Sequence, residues 1–564
     1  MRRLRFLLLL AIGLSFVAPP PLASEPAVTA SHGMVVAQEA RAARIGVEVL
    51  KRGGNAVDAA VATGFALAVS YPRAGNIGGG GYMVIHLANR EVAIDYRETA
   101  PGATRRDMFL DEAGEADPRK SRDSALAIGV PGTVAGLALA HRRYGSGRFT
   151  LADLIAPAIA LAREGFAIED DVADSLPRVH ARLARWPASA RIFLKPDGSA
   201  LAPGEILRQS DLAATLEAIA QRGPRAFYEG AIAGKLVAAV QAAGGIMTRE
   251  DLKNYSPIVR RPVRGRYRGY DIVSMPPSSS GGVVLIESLN ILEGYKLGEL
   301  GAASALRLHL MVEAMKRAYA DRAAFLGDPA VVKAPLARLT SKRYAAALRK
   351  DIDPDHARAV AGALPENPSP REGDNTTHFS VVDRFGNAVA NTTTLNFSYG
   401  LGLVAEGTGV LLNNELDDFA AKPRAPNAYG LVGGEANAPG PGKRPLSSMS
   451  PTIVLGHGRP ILVTGSPGGS RIISAVLQII SNVIDLKMPL ADAVAAPRIH
   501  HQWSPDEVAV EHGLAADLIA ALERRGHKVV PGPPRTSANS ILVTPDGFVG
   551  AADQRTRGAL AVGY

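Results

Sequence analysis

Residues 375–383 read Asn-Thr-Thr-His-Phe-Ser-Val-Val-Asp, and they place hydroxyl side chains at the start of an apolar strand. Residues 363–374, just before them, are rich in Pro, Asp and Glu and lack apolar periodicity, which is typical of an exposed, cleavable linker. Residues 377–382 alternate in polarity, residues 388–394 are a second strand candidate, and Gly386-Asn387 lies in the turn between them. The sequence therefore predicts a β-hairpin that begins where a linker ends.

Thr376 stands at the junction between this linker and the first strand. A threonine hydroxyl in mid-chain is a poor nucleophile because nothing nearby takes its proton. If the bond before Thr376 is cut, the new α-amino group, with a reference pKa of about 7.7–8.0, becomes a base on the same residue. Threonine with its own terminal amine is a recognised activated nucleophile. The alternative is a linker that ends in a strand with β-branched residues and has no catalytic role.

The composition excludes several classes of function. The chain has 564 residues, 47% of them hydrophobic and 21% charged, so we expect two domains or one large multilayer fold rather than a disordered chain. It has no cysteine, which excludes a thiol nucleophile, a disulfide scaffold and any cysteine-ligated metal. The net charge of +9 is diffuse and no dense basic run is interleaved with aromatic residues, so nucleic acid is not an expected partner.

Residues 1–24 have the pattern of an export signal. Basic residues come first, an apolar run follows from Phe6 to Val17, and small residues come next, with Ala23 or Ser24 as the last residue removed. The apolar run is short for a bilayer span, which favours a signal peptide over the alternative, an uncleaved anchor. We therefore expect the mature chain to be periplasmic or secreted, with no membrane span.

The first two thirds of the chain are helix-rich and the last third is richer in strands. Apolar spacing and capping residues predict helices at 38–52, 55–70, 306–326, 470–485 and 515–525, and strands at 451–456, 460–465, 508–511 and 539–545. Four glycines, Gly78 to Gly81, precede a further apolar strand. They predict close backbone packing, and a phosphate loop is the alternative, although neither a following Lys-Ser/Thr nor a GxGxxG pattern is present.

A set of motifs resembles the γ-glutamyltransferase family. Residues 375–383 resemble the processing site of that family, and further motifs run in the family's order from about residue 27 to the C-terminus. They are residues 95–98, 394–396, 412–419, 444–452 and 465–471. Each motif alone has an ordinary structural explanation, but together they are specific to the family.

The resemblance implies the fold and the maturation of the chain. The implied fold is an α+β N-terminal-nucleophile hydrolase, a four-layer αββα sandwich built from both subunits of one precursor. Self-cleavage between Asn375 and Thr376 is expected to give a large subunit, residues 25–375, and a small subunit, residues 376–564, which stay paired. The implied activity is transfer of the γ-glutamyl group of glutathione and related compounds to water or to amino acids and peptides. No metal or organic cofactor is implied.

The resemblance also implies a role for individual residues. Thr376 matches the nucleophile, Thr394 the threonine that supports it, and Gly468 and Gly469 the backbone amides of an oxyanion hole. Residues that match the substrate-binding groups divide by the charge they meet: Arg97, Ser447 and Ser448 for the α-carboxylate, and Asn396, Glu415 and Asp418 for the α-amino end. Residues 425–430 resemble a lid loop, with Tyr429 at the gating position; a disordered insertion is the alternative.

These assignments agree with the chemistry of the side chains. Arg97 offers a planar fork for a carboxylate, acidic side chains accept from an ammonium, and two glycines let backbone N–H groups approach an oxyanion closely. His378 lies in the nucleophile strand, where a structural role is the alternative to a catalytic one.

Two other functions remain as alternatives. One is an acylase for glutaryl or cephalosporin side chains, against which Glu415 and Asp418 argue because such substrates lack an α-amino group. The other is an exported protein that binds glutamate without turnover and stays uncleaved.

Overall fold

The computed structural model describes residues 26–88, 90–362 and 375–564. The predicted signal peptide, residues 1–24, and the predicted linker, residues 363–374, lie outside the described residues. Within the described ranges, two seven-stranded antiparallel sheets pack face to face, and helices cover both outer faces. This four-layer αββα sandwich confirms the α+β class expected from the sequence.

One sheet contains Thr376, and we call it the nucleophile sheet. In spatial order its strands are Leu560–Gly563, Met34–Ala37, Thr376–Val382, Ala388–Thr394, Gly80–Leu87, Arg90–Asp95 and Ile258–Arg260. The predicted hairpin is confirmed, and its register places Thr376 opposite Thr394. The strand that begins at Thr376 pairs on its other side with Met34–Ala37, so strands from before and after residue 375 are interleaved.

The second sheet faces the nucleophile sheet. In spatial order its strands are Val28–Ala30, Gly547–Ala552, Asn539–Thr544, Arg459–Thr464, Thr452–Gly456, Tyr270–Ser274 and Val263–Tyr267. Alternate residues of both sheets point into the layer between them, as the period of two requires, and they bury apolar side chains that include Val36, Val84, Ile453 and Val463. Shorter strands pair outside the two sheets: Phe166–Ala167 with Ile206–Leu207, Val404–Ala405 with Val410–Leu411, and Ile499–His500 with Val508–Glu511 and Val529–Gly532.

Helices of the first half of the chain cover the nucleophile sheet. They are Ala40–Lys51, Ala56–Ser70, Thr133–Tyr144, Leu151–Glu164, Asp170–Ala184, Pro187–Phe193, Ser210–Arg222, Arg225–Tyr228, Gly230–Ala242 and Arg249–Asn254. The helices predicted at 38–52 and 55–70 are confirmed. The second of them is buried along its whole length and starts with a capping box between Asn55 and Asp58, which satisfies its first backbone N–H groups.

The second sheet is covered by helices from later in the chain. They are Gly281–Leu292, Leu297–Leu300, Ala305–Phe325, Leu336–Leu339, Lys342–Arg349, Ile472–Ile484, Leu490–Ala495 and Ala516–Arg524. The helices predicted at 306–326, 470–485 and 515–525 are confirmed. One short helix, Pro118–Arg122, lies beside residues 415–418 instead. Among the described residues, no helix combines the length and apolar character that a bilayer span requires.

The four glycines Gly78 to Gly81, of which the last two begin the strand Gly80–Leu87, pack against other backbone. A Cβ atom at Gly78 would lie 1.9 Å from the carbonyl oxygen of Leu411, and one at Gly79 would lie 2.1 Å from that of Thr394. The predicted close packing is confirmed. Because these residues carry no side chain, the strand can lie directly against the end of the hairpin at Thr394, where Gly80 is the paired residue.

Candidate active site

The hairpin register brings two threonine hydroxyls together. Thr376 Oγ donates to Thr394 Oγ over 3.2 Å, and Thr394 Oγ donates to the carbonyl oxygen of Asn375 over 3.1 Å. The backbone N–H of Asn396 donates to Thr394 Oγ over 3.0 Å and fixes the position of that hydroxyl. The two threonine hydroxyls and the Asn375 carbonyl thus form a chain of hydrogen bonds, which runs from Thr376 to the peptide bond that precedes it.

Asn375 is held by its side chain as well as by its carbonyl. Ser398 Oγ donates to Asn375 Oδ1 over 2.8 Å, and both residues are buried. Ser398 was not among the residues predicted from the sequence. No sequence motif indicates that Ser398 contacts Asn375, because the contact depends on how the chain turns after the strand Ala388–Thr394.

Gly468 and Gly469 follow the strand Arg459–Thr464 and have positive φ angles of 126° and 56°. A Cβ atom at Gly468 would meet the Arg535 carbonyl oxygen at 2.6 Å, and one at Gly469 would meet the ring of Tyr429 at 2.4 Å. Both positions therefore require glycine, for conformation and for space. Gly469 lines the same cavity as Thr376, whereas Gly468, the residue before it in the chain, does not line that cavity.

The cavity at Thr376 collects the predicted site residues at the ends of several strands. Its lining contains Arg97, Thr376, Thr394, Asn396, Glu415, Asp418, Tyr429, Ser447, Ser448 and Gly469. The volume is about 20 Å³, which is room for about one water molecule. A cavity of about 200 Å³ lies nearby and is lined by Arg471, His500 and Gln502, but none of the predicted site residues lines it.

Arg97 is the centre of a buried charged cluster. Its Nη1 donates to Glu415, and its Nη2 donates to Asp418 Oδ2 over 2.5 Å. Its Nε donates to the carbonyl oxygen of Pro445 over 3.2 Å. Glu98 lies 3.8 Å from Nη1. Arg97 follows the strand Arg90–Asp95, while Glu415 and Asp418 belong to one short 3₁₀ helix, so the cluster joins distant parts of the chain.

Burial sets the protonation of this cluster. It raises the pKa of Glu98 to about 7, and it raises the pKa of Glu415 and of Asp418 despite the opposing charge of Arg97. Burial by itself lowers the pKa of Arg97, but the neighbouring carboxylates raise it well above its ordinary value. The buried charges of Arg97 and the acidic side chains stabilise one another. A ligand that brings one positive and one negative charge would leave the net charge of the cluster unchanged.

Ser447 and Ser448 lie in the loop before the strand Thr452–Gly456. Ser447 Oγ accepts from the backbone N–H of Met449 over 3.1 Å. Ser448 Oγ accepts from Arg322 Nη2 over 3.4 Å. The sequence does not indicate Arg322, on the helix Ala305–Phe325, because nothing in a helical pattern shows which residues of a distant loop lie beside it.

The loop after residue 418 closes over the cavity. Tyr429 Oη donates to the carbonyl oxygen of Asn396 over 2.8 Å and to Asn396 Oδ1 over 2.9 Å, and the residue is 5% exposed. The base of the loop is held by Asp418, whose Oδ1 accepts from Asn427 Nδ2, and by Asp417, which accepts from the backbone N–H of Ala428. Tyr429 therefore lines the cavity that contains the predicted nucleophile.

His378 does not line the cavity at Thr376. Its ring lies in the layer between the sheets, with Nδ1 2.8 Å from Thr392 Oγ and Nε2 3.1 Å from Ser380 Oγ. Burial lowers the pKa of His378 to about 3, so the ring is neutral. These contacts support the structural role.

One group of metal-ligand side chains occurs in the described part of the chain: His309, Glu313 and His527. His309 Nδ1 and His527 Nε2 are 2.8 Å apart, a hydrogen-bond distance, and Glu313 is paired with Lys316 and Arg317. The two cations oppose the binding of a further positive ion. None of these residues lines the cavity at Thr376.

The sequence of this chain is similar to those of known proteins. The model of the Gamma-glutamyltranspeptidase family matches residues 42–563. The chain is 49% identical over 539 residues to the glutathione hydrolase proenzyme of Escherichia coli (strain K12), covering 95% of this chain and 93% of that one. It is also 49% identical over 554 residues to the protein of the same name from Pseudomonas sp. (strain A14), covering 96% of each.

The fold is also similar to that of a solved protein that is described as an acylase. The crystal structure of cephalosporin acylase from Bacillus halodurans matches with a TM-score of 0.83 at 27% identity, and the match covers 99% of both chains.

Proposed function

The chain belongs to the gamma-glutamyltranspeptidase family, and from this premise we infer that it is a self-processing γ-glutamyltransferase of the glutathione hydrolase type. It cleaves the γ-glutamyl amide of glutathione and related donors, and it passes the γ-glutamyl group to water or to the amine of an amino acid or peptide. The observation that carries this function is the hydrogen-bonded chain from Thr376 through Thr394 to the Asn375 carbonyl, at the edge of a cavity with paired opposite charges.

Self-cleavage begins at the uncut bond between Asn375 and Thr376. Thr376 Oγ attacks the carbonyl carbon of Asn375, and its proton leaves through Thr394, which donates to the oxygen of the same carbonyl. The C–N bond breaks, the amine takes up a proton, and an ester joins Asn375 to the Thr376 side chain. Water then hydrolyses the ester and leaves residues 25–375 as the large subunit and residues 376–564 as the small subunit.

Turnover uses the amine that self-cleavage releases. The neutral α-amino group of Thr376 takes the proton of its own hydroxyl as Oγ attacks the γ-carbonyl carbon of the donor. The N–H groups of Gly468 and Gly469 stabilise the negative oxygen of the tetrahedral intermediate. The donor's amine leaves with a proton, and water or an acceptor amine then attacks the γ-glutamyl ester and frees Thr376.

The charged cluster explains recognition of a γ-glutamyl group. The α-carboxylate of the donor binds Arg97, Ser447 and Ser448, and the α-ammonium binds Asn396, Glu415 and Asp418. The contacts between Arg97 and the two acidic residues support this assignment, since they already pair the charges that the donor's head group would bring. The cavity of about 20 Å³ is too small for that head group, so the loop with Tyr429 opens for entry.

An acylase that takes glutaryl or cephalosporin side chains is the second candidate, because of the fold similarity to the cephalosporin acylase. Glu415 and Asp418 favour a donor with an α-amino group. The two candidates separate in rates with L-γ-glutamyl-p-nitroanilide and glutaryl-p-nitroanilide, which differ in that group. Faster turnover of the glutaryl compound would favour the acylase.

The mass of the denatured protein tests self-processing. Wild type should give two fragments that meet at Asn375/Thr376, and Thr376→Ala should give one uncut chain. Thr377→Ala is the matched control, since it removes a neighbouring hydroxyl that has no hydrogen-bond partner. A wild-type chain that remains whole after long incubation, or cleavage in Thr376→Ala, would contradict the proposed mechanism.

Export is the remaining part of the proposal. Residues 1–24 act as the signal, and the mature enzyme works in the periplasm or outside the cell. N-terminal sequencing of the large subunit from the native host should begin near residue 25. A large subunit that retains Met1 would contradict export with signal removal.

A further inference from the structure

Arg322 lies directly behind the serine loop that lines the cavity. It is on the helix Ala305–Phe325 and is 4% exposed. Its Nε donates to Ser280 Oγ over 2.9 Å, and its Nη2 donates to Ser448 Oγ over 3.4 Å. Ser280 in turn donates from its hydroxyl to the carbonyl oxygen of Ser447 over 2.6 Å, so Arg322 reaches both cavity serines.

No carboxylate of the described residues lies within ion-pair distance of Arg322. Arg97, by contrast, is bound by Glu415 and Asp418 and has Glu98 beside it. A buried guanidinium whose hydrogen-bond partners are all neutral is costly. Burial lowers the pKa of Arg322 below its ordinary value, although the charge of Asp418 opposes that shift. The cost falls when an anion enters nearby, so Arg322 is suited to a negatively charged ligand.

The direction of the hydrogen bonds indicates where that anion binds. A guanidinium can only donate, so Ser448 Oγ accepts from Arg322, and Ser447 Oγ accepts from the backbone N–H of Met449. Neither hydroxyl proton has an acceptor among the described residues. Both serines line the cavity, and both are therefore left as donors for an oxygen inside it.

We propose that Arg322 is a positioning residue for the carboxylate of the γ-glutamyl donor, holding Ser447 and Ser448 as donors and adding a second positive charge behind them. This inference rests on the proposed function. Arg97 is already bound by Glu415 and Asp418 and has Glu98 beside it, so the donor's carboxylate would be a further acidic group near the same guanidinium. Arg322 provides a further positive charge behind Ser447 and Ser448.

Arg322→Gln tests the role, because it removes the charge and keeps a polar side chain of moderate size. With L-γ-glutamyl-p-nitroanilide we expect KM to rise about ten- to hundredfold, the range for a lost hydrogen bond to a charged group, while kcat changes little. With 4-aminobutanoyl-p-nitroanilide, which lacks the α-carboxylate, the same variant should change kcat/KM less than threefold from the wild-type value. Equal losses with both donors, or an unchanged KM for the γ-glutamyl donor, would overturn the proposal.

A double-mutant cycle with Ser448→Ala tests whether Arg322 acts through the serine loop. The effects of Arg322→Gln and Ser448→Ala on KM should be much less than multiplicative in the double variant. Full multiplicativity would mean that Arg322 does not act through Ser448 and would overturn the positioning role. Arg322→Lys, which keeps the charge but loses the fork, should give an intermediate KM.

Self-cleavage serves as the readout for folding. Arg322 has no contact with Asn375, Thr376 or Thr394, so Arg322→Gln should be cut as wild type is. If that variant stays uncut, Arg322→Lys and Ser280→Ala, which removes the acceptor of Nε, carry the same KM comparison. A wild-type enzyme inactive on every γ-glutamyl donor would contradict the proposed function, which distinguishes that failure from failure of this inference.

Discussion

The hydroxyl of Thr394 links the proposed nucleophile, Thr376, to the peptide bond that we propose it breaks. Its position follows from a register that pairs it directly with Thr376. The alternation of polarity and the Gly386-Asn387 turn predicted the hairpin, and the family resemblance implied that Thr394 supports Thr376. The sequence did not predict Ser398 or Arg322, whose partners are 23 and 126 residues away along the chain. Such contacts depend on loop paths and on helix packing, which leave no periodic trace in a sequence.

Ser398 should matter for self-cleavage and not for turnover. Its hydroxyl holds the Asn375 side chain, and Asn375 is no longer joined to Thr376 once the chain is cut. Ser398→Ala should slow self-cleavage about three- to tenfold, as expected for one neutral hydrogen bond. Fragment formation over time on denaturing gels measures the rate. Fully cut Ser398→Ala should then match wild type in kcat/KM, and a comparable loss in turnover would contradict this prediction.

Glu98 should make stability depend on pH. Its carboxyl oxygens are buried without hydrogen-bond partners, and burial raises its pKa to about 7. A raised folded pKa favours folding most below about pH 4.5, and this contribution is lost as the pH rises through about 7. Gln at this position does not titrate.

The thermal midpoint of Glu98→Gln minus that of wild type should therefore become more positive from pH 5 to pH 8. Calorimetry at one scan rate measures both midpoints, and the exposed Glu112→Gln is the control. A difference that falls with rising pH would refute the assigned protonation.

At the scale of elements, the glycine run and the hairpin end act as one unit. The sequence predicted that Gly78 to Gly81 pack closely. Gly78 packs against Leu411 and Gly79 against Thr394, at the end of the hairpin. The sequence could not predict the partner, since the two segments are more than 300 residues apart. The loop with Tyr429 is similar: the resemblance indicated a lid, while its contacts with Asn396 and Gly469 come from the fold.

Gly79→Ala should disturb the active site through this packing. The new methyl group would lie 2.1 Å from the Thr394 carbonyl oxygen, so the end of the hairpin must shift. Overpacking of this kind costs about 1–3 kcal/mol in stability, and the displaced Thr394 should also slow self-cleavage at least tenfold. Gly532→Ala is the control, because a Cβ atom there meets nothing within 4 Å and φ is not positive. Normal cleavage of Gly79→Ala would show that the contact is not tight.

At the scale of the whole molecule, the two sides of the proposed cleavage point cannot form separate domains. The nucleophile sheet takes Met34–Ala37 and Gly80–Leu87 from one side, and Thr376–Val382 and Ala388–Thr394 from the other. The sequence alone suggested either two domains or one multilayer fold, and only the resemblance favoured the second. Composition does not record which strands are neighbours.

The two fragments should therefore stay together after the cut. Native size-exclusion chromatography of fully cleaved enzyme should give one peak that contains both fragments, and only denaturant should separate them. The uncut Thr376→Ala chain, run in parallel, should elute at the same volume. Dissociation of the fragments in native buffer would contradict the interleaved sheet.

The interleaving of the strands also affects how long one enzyme molecule stays active. The uncut chain folds as a single covalent unit, so its strands find one another by closing loops, at a cost that does not depend on concentration. After the cut, the same sheet can be rebuilt only if two separate chains meet, and in a dilute compartment they seldom do. We therefore expect a cut enzyme that unfolds to refold only rarely. On this expectation its working lifetime is set by the rate of unfolding and not by an equilibrium, and maturation exchanges the capacity to refold for catalytic activity.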